Sequence, residues 1–442
     1  MLRMAATEFL QKMAMALYEL LWRFLGAVIV PLLKRVPSLR PQLEGRQLIE
    51  DNLHKLKTER QRFARAMVFF CSSAGEYEQA KPLMNRLQQQ GDTFVFLILV
   101  SYSGKRFALA QQETVPFIMA PWDSPRAWRK LFAVLQANAF VVVRYELWPG
   151  FLYTARAHAP VYLIDAVQSP GLVKKSLSRS LRRALVRLCR QVFVVGAEDQ
   201  AFYSELLQRP ALSIPQVGDT KYDRVLERLE QREGKRRQLR EQLAAFLTGG
   251  PLLIMGSAWP QDLQALLDIY PAVQARHPHI KLIVAPHDIS PAMVGKMQQS
   301  LEAMKLRVCR AQAAGLAAAG AGDNVLLVDM IGLLPELYAL GDIAWVGGAL
   351  HHRVHNVLEP ACQGLFVCFG PRYHTSQEAR QLVAEGLVTV ITSGNDFLEW
   401  MQGLHWEGHP PHRKLYEAII RHRGATGRIL QAIQADACDL RR

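Results

Sequence analysis

Ser72-Ser73-Ala74-Gly75-Glu76 sets a carboxylate at the start of a predicted helix, Glu76–Gln90, that follows a short apolar run, Met67–Cys71. Two uses of Glu76 fit this placement. Ser73-x-x-Glu76 is a capping box, with Ser73 as the N-cap and Glu76 reaching back to it. Glu76 is also placed as a general base, because the loop after the first strand of a doubly wound sheet faces the ligand crevice. The helix dipole favours the ionised form of a first-turn carboxylate, which suits it to accept a proton.

A second group lies in Trp345–Arg380. The pattern predicts a strand (Ile343–Val346), a glycine turn (Gly347, Gly348), a polar loop, a helix opening around Asn356, and a strand (Leu365–Phe369) closed by Gly370-Pro371. Strand, glycine turn and helix start make an anion or nucleotide site when unpaired backbone N–H groups point at the ligand. Asn356 and the helix start would then hold a phosphate, and Glu359, one turn in, the two hydroxyls of a ribose. An ordinary βαβ crossover with capping residues fits the same pattern. His351, His352 and His355 have no carboxylate or cysteine partner at metal-ligand spacing, so no metal is expected. Met255-Gly256-Ser257-Ala258-Trp259-Pro260 reads as another strand-end loop feeding a helix, with Ser257 as a phosphate contact.

The elements that must carry these groups recur along the chain. Short apolar strands are predicted at Met67–Cys71, Thr93–Ser101, Phe140–Arg144, Val161–Asp165 and Val192–Gly196. A Gly-Gly-Pro break at 249–251 opens a second series: Leu252–Met255, Lys281–Ala285, Asn324–Val328, Ile343–Val346 and Leu365–Phe369. Helical patterns lie between them, which is the signature of α/β folds with parallel, doubly wound sheets. Val225–Leu247 reads as one charged helix and the Ala/Gly-rich Ala311–Gly322 as a flexible loop. With 442 residues, two domains are expected.

The net charge of +14 calls for an anionic partner, such as nucleic acid, phosphorylated lipid or a membrane surface. Lys174–Arg190 holds seven basic residues and no acid, with Leu177, Leu181, Leu185 and Leu188 as an apolar stripe. Such a helix rests on anionic lipid, contacts a phosphorylated acceptor through residues such as Lys174, Lys175 and Arg179, or is a solvated basic face over a buried stripe. It has no interleaved aromatics for stacking, which speaks against nucleic acid. Phe9–Leu33 is apolar but broken by Lys12, Glu19 and Arg23. Its charge-free run, Phe24–Leu33, is ten residues, where a spanning helix needs about twenty; an uncleaved interfacial anchor is expected, with a hydrophobic helix packed on the protein's own body as the alternative. The six cysteines are scattered without C-x-x-C spacing, as buried thiols in a reducing compartment are.

Five motifs, in order, resemble those of the 3-deoxy-D-manno-octulosonic acid (Kdo) transferases. Ser73–Glu76 is similar to the S-x-G-E that supplies that family's proposed catalytic base. Glu146-Leu147-Trp148-Pro149 resembles its E-L-W-P, and Gly218–Asp223 its G-x-x-K-[FY]-D. Asp329–Leu334 resembles its D-x-[MI]-G-x-L turn, and VGGALHHRVHNVLEPACQGLFVCFGP its nucleotide segment. Ala285-Pro286-His287 departs from the usual P-R-H, so no arginine role carries over. The resemblance implies the GT-B fold, two Rossmann-like domains facing a central cleft. It implies CMP-Kdo as donor, a phosphorylated lipid A precursor as acceptor, no cofactor, and transfer at the cytoplasmic face of the bacterial inner membrane. Glu76 would be the base and Glu146 lie on the acceptor side. Lys221 would neutralise the sugar carboxylate or the leaving phosphate. Ser257, Asn356 and Glu359 would hold phosphate and ribose, and Met330, Ile331, Gly332 and His287 the cytosine. The domains would be 1–45 (membrane-anchoring helix), 46–212 (acceptor), 213–410 (nucleotide-sugar) and 411–442 (a helix packing back on the acceptor domain). A UDP-sugar transferase or epimerase on the same fold, and a non-enzymatic basic membrane binder, are the alternatives.

Overall fold

The computed structural model describes residues 2–33, 35, 46, 50–144, 146–168, 176–404 and 412–439. They form two compact units, Met1–Arg224 with Arg423–Arg442, and Val225–His422. Each is a parallel sheet wrapped by helices, as the alternation of apolar strands and amphipathic helices requires.

The first sheet comprises β1 (Arg65–Cys71), β2 (Thr93–Leu99), β3 (Phe117–Met119), β4 (Ala139–Val143), β5 (Val161–Ala166) and β6 (Gln191–Val194). Its order is β3-β2-β1-β4-β5-β6, parallel throughout. Every residue of β2 is buried, the mark of a strand covered on both faces. On one face Phe70 stacks on Phe151 at 4.2 Å, with Trp128, Phe132 and Phe140 around them. On the other, Ile429, Leu430 and Ile433 of the last helix, Ala425–Asp439, close the core.

The second sheet comprises β7 (Leu252–Ala258), β8 (Lys281–Pro286), β9 (Val308–Arg310), β10 (Val325–Leu327), β11 (Ile343–Val346), β12 (Phe366–Phe369) and β13 (Thr389–Val390). The order β13-β12-β11-β7-β8-β10-β9 is again all parallel. In each sheet the winding reverses at one place, between β1 and β4 and between β7 and β11. Doubly wound sheets bind ligands outside the carboxyl ends of the strands at such a reversal.

Three strands, β3, β9 and β13, were not expected. At two or three residues they are too short to show a period. In place of one helix over 225–247 there are two, Thr220–Gln231 and Glu233–Gln242, with Arg232 between them. The expected loop at 311–322 is folded into a short helix, Ala311–Ala314, and a 3-10 turn, Leu316–Ala318, with Ala311 and Ala319 buried.

The N-terminal helix, Leu2–Phe24, continues through a π-turn, Leu25–Ile29, into Val30–Leu33. It docks on the first unit through Tyr18, Glu19 and Trp22: Trp22 stacks on Trp122 at 5.8 Å, and Glu19 accepts from the Ser124 hydroxyl (3.0 Å) and the Arg126 N–H (2.9 Å). Met13, Leu17, Leu20, Leu21, Phe24, Val28 and Leu32, at helical spacing, stay exposed. Among the described residues no helix is long and apolar enough to cross a membrane.

Gly256 gives a direct test of the second core. A Cβ there would fall 1.8 Å from the buried Tyr338 hydroxyl. Gly256→Ala should therefore lower stability by about 1–3 kcal/mol, the usual cost of overpacking. Gly234, in a helix with open space around it, should gain stability on the same change. Equal melting temperatures for the two variants would contradict this packing.

Candidate active site

At the reversal in the first sheet, β1 leads into the helix Ala74–Gln90 and β4 into Pro149–His158. Ser73 caps its helix as expected, its hydroxyl accepting from the Glu76 N–H at 3.3 Å. The other half of the predicted box is different. The Glu76 carboxylate turns to Ser72, accepting from its N–H and, at 2.8 Å, from its hydroxyl. Glu76 is 4% exposed. Burial pushes its carboxyl up to about 7; the two Ser72 hydrogen bonds oppose this, the nearby Glu146 charge adds to it, and Arg144 lowers it. The expected ionisation by the helix dipole is thus outweighed by desolvation. Glu146 is steadied by the Trp148 indole N–H at 3.1 Å.

Residues that sequence reasoning missed complete this site. Arg144, with φ of 63°, donates to the Gln79 side chain (2.7 Å) and to Asp219 (3.2 Å). Asp219 also accepts from Gln79 (3.1 Å) and from the Lys221 backbone N–H (2.8 Å), which fixes the strand-to-helix turn that carries Lys221. Asp165, with φ of 49° and no exposed surface, accepts from the Thr220 N–H at 3.0 Å and from its hydroxyl. Burial, and then Asp219, raise its carboxyl. Non-glycine residues in the left-handed region leave no trace in a hydrophobic pattern, yet they gather where function stores strain.

At the reversal in the second sheet the predicted phosphate cradle is corrected. β7 does not end at Met255 but runs on to Ala258, with a bulge at Ser257, whose φ is 52°. Bulges of this kind re-aim a side chain beside a site. The N–H groups of Gly347 and Gly348 do not point at open space. They donate to Gly256 O (2.9 Å) and to the buried Asp262 carboxylate (2.8 Å). These glycines permit close approach instead: a Cβ on Gly347 would lie 2.3 Å from Ser257 O, and Gly348 has φ of 91°. The following helix is Leu358–Cys362, five residues, and opens two positions later than expected. Asn356 accepts from the Leu358 N–H (3.0 Å), and Glu359, in the first turn, pairs with Arg228 at 3.7 Å. Tyr338 O–H is held neutral by burial and by the Glu359 charge.

His287, just past β8, stacks on both Trp259 (4.8 Å) and His355 (4.4 Å), whose nearly parallel rings are joined by the Trp259 indole N–H donating to His355 Nε2 at 3.0 Å. Burial and then His287 pull His355 down to about 4, so this stack is neutral at pH 7. Beyond β10, Met330 and Ile331 stand exposed, Ile331 at 85%, and Gly332 turns with φ of 89°.

The basic stretch keeps the expected stripe in part: Leu185 and Leu188 pack against the core, whereas Leu181 does not. Its helix is Ser176–Val186; Lys174 and Lys175 lie outside the described residues, as does Tyr145. The buried face runs through Arg182, Val186 and Cys189, while Leu181 is 57% exposed. Arg182 is drawn inward by Tyr203, to whose hydroxyl it donates at 3.1 Å, and by the Phe202 ring. Arg179 pairs with Glu205. Part of the cationic face therefore serves the fold.

Comparison with known proteins adds identity to this geometry. The family described as 3-deoxy-D-manno-octulosonic-acid transferase (kdotransferase) matches residues 47–224. A 3-deoxy-D-manno-octulosonic acid transferase of Bordetella pertussis is 27% identical over 384 residues, 82% of this chain and 85% of the relative. That of Haemophilus influenzae is 24% identical, with coverage of 82% and 85%. Among solved structures, UDP-GlcNAc 2-epimerase from Neisseria meningitidis superposes with a TM-score of 0.59 at 14% identity, covering 84% of this chain and all of that one. MurG of Acinetobacter baumannii gives 0.50 at 14% identity, covering 84% and 99%. These two show the fold, a pair of Rossmann-like domains of the GT-B type. Along most of its length this chain is thus similar in sequence to 3-deoxy-D-manno-octulosonic acid transferases, a group of glycosyltransferases.

Proposed function

We propose that this enzyme transfers Kdo from CMP-Kdo to a hydroxyl of a phosphorylated lipid A precursor at the cytoplasmic face of the bacterial inner membrane. The observation that carries the mechanism is the burial of Glu76 at the carboxyl end of β1, beside Glu146. A carboxyl near 7 is matched to taking a proton at neutral pH. The acceptor O–H gives its proton to Glu76 as its oxygen bonds to the anomeric carbon of Kdo. The bond from that carbon to the phosphate oxygen breaks, CMP leaves, and the configuration inverts. In this reading Glu146 and the basic residues Lys174, Lys175 and Arg179 serve acceptor binding. Lys221 meets the sugar carboxylate or the leaving phosphate.

The donor half of the reading rests on the second unit. Ser257, re-aimed by its bulge, and Asn356 contact phosphate; Glu359, oriented by Arg228, takes the ribose hydroxyls. Met330–Gly332 and His287 flank the cytosine, the exposed Ile331 offering an apolar face and the neutral His287 ring a stacking surface. Charge that builds on the departing phosphate receives most of the electrostatic help.

The exposed stripe Met13–Leu32 supports a lipid-facing role for the N-terminal helix, which lies on the leaflet with its apolar face down. Leu17→Glu with Leu21→Glu should abolish co-flotation with anionic phospholipid vesicles while leaving the melting temperature unchanged, since neither residue is in the core. Undiminished flotation would move the anchoring to Ser176–Val186.

Incubation with CMP-Kdo and a lipid A precursor, followed by mass analysis of the lipid, tests the activity. Glu76→Gln should lower turnover by roughly 10²-fold or more with CMP binding intact. A raised folded-state value means that wild-type loses stability as pH climbs from the unfolded value, 4.5, to about 7. The amide variant lacks that loss, so at pH 8 it should melt no lower than wild type. Wild-type turnover in this variant would remove Glu76 from the chemistry.

A further inference from the structure

Asp123 is a buried junction that no step above uses. It is 2% exposed and accepts four hydrogen bonds. Oδ1 takes the Trp128 indole N–H (2.7 Å) and the Phe151 N–H (2.8 Å); Oδ2 takes the Gly150 N–H (2.9 Å) and the Tyr18 hydroxyl (2.8 Å). The helix Pro149–His158 has Trp148 at its N-cap and no side-chain cap of its own. Asp123 therefore caps that helix from a distant turn, satisfying two first-turn N–H groups. The fit is close: a Cβ on Gly150 would lie 2.2 Å from Asp123 O.

The same turn is where the N-terminal helix docks. Tyr18 reaches Asp123, Glu19 binds Ser124 and the Arg126 N–H, and Trp22 stacks on Trp122. On the far side, the capped helix begins right after Glu146-Leu147-Trp148, where Trp148 holds Glu146 and packs edge-on against Phe70 at 5.6 Å. Contacts thus run without a gap from Tyr18 through Asp123 and the Pro149 helix start to Glu146.

We propose that Tyr18 is a positioning residue for the transfer reaction: docking of the N-terminal helix completes the Asp123 cap and thereby sets Glu146 beside Glu76. Seating the helix on a lipid surface and arming the acceptor side are then one event. The proposal rests on Glu76 acting as the base, but its test is separate.

The test uses the full chain in detergent micelles with CMP-Kdo and a lipid A precursor, so that lipid binding does not limit the rate. Tyr18→Phe removes one hydroxyl and leaves Asp123 three donors, so the fold persists. Its kcat should fall roughly three- to tenfold, as small misplacements do, with the KM for CMP-Kdo unchanged. In a Glu146→Gln background the same change should cost nothing more, because residues acting through one another are non-additive. Wild-type kcat in Tyr18→Phe, or a loss that multiplies undiminished onto Glu146→Gln, overturns the proposal. Failure of the base reading would appear elsewhere, as turnover retained in Glu76→Gln.

Discussion

Desolvation of one carboxylate is the constraint around which the first unit is arranged. The order of its sheet puts β1 beside β4, so the Ser72–Glu76 and Arg144–Trp148 segments leave the same end of the sheet from its two central strands. Two hydrogen bonds from Ser72 favour the Glu76 anion, but burial of the ion costs more and is the larger effect. Burial prevails, and the carboxyl rises to about 7. Arg144 keeps the rise from going further, and Arg144 is itself held in place by Gln79 and Asp219. The left-handed backbones of Arg144 and Asp165 are the local cost of bringing these groups together.

The second unit solves a different problem with the same topology. Its reversal point is knitted shut rather than left open: Asp262 joins the Trp259 N–H (3.0 Å) to the Gly348 N–H, and the two glycines let β7 and the β11 turn touch. What remains presented is side chain: Ser257 from its bulge, the neutral histidine–tryptophan stack, and the exposed Met330–Ile331 tip. In the proposed reading this surface takes the donor nucleotide, its flat base against the uncharged rings and a phosphate against hydroxyl and amide groups.

How much of this was legible in the sequence follows from the range of the interactions. Strands of four or more buried residues, such as Ile343–Val346, announce themselves by composition; the two-residue β13 cannot. Ser73 was readable as a cap because a cap is a contact three residues long. That Glu76 turns to Ser72, and that burial overrides the helix dipole, depend on what the rest of the sheet covers. Local pattern leaves Gly347-Gly348 equally an open cradle or an ordinary crossover turn, because the aspartate that decides it lies 86 residues earlier in the chain. The leucines of the basic helix give its phase in part, Leu185 and Leu188 packing on the core, but not that Tyr203 and Phe202 draw Arg182 inward. The apolar run at the N-terminus was plain, but its polar docking face, Tyr18 and Glu19, reads as an interruption until Asp123 and Ser124 are seen opposite.

The account is tested most directly by the pH dependence of kcat/KM for Kdo transfer to the lipid acceptor. A base is active when ionised, so activity should climb with rising pH along an acid limb whose apparent pKa lies at about 7. A limb near 4.5, the ordinary value for a glutamic acid, or a rate that does not change between about pH 5 and 8, would mean that Glu76 is neither desolvated in the working enzyme nor the group that takes the proton.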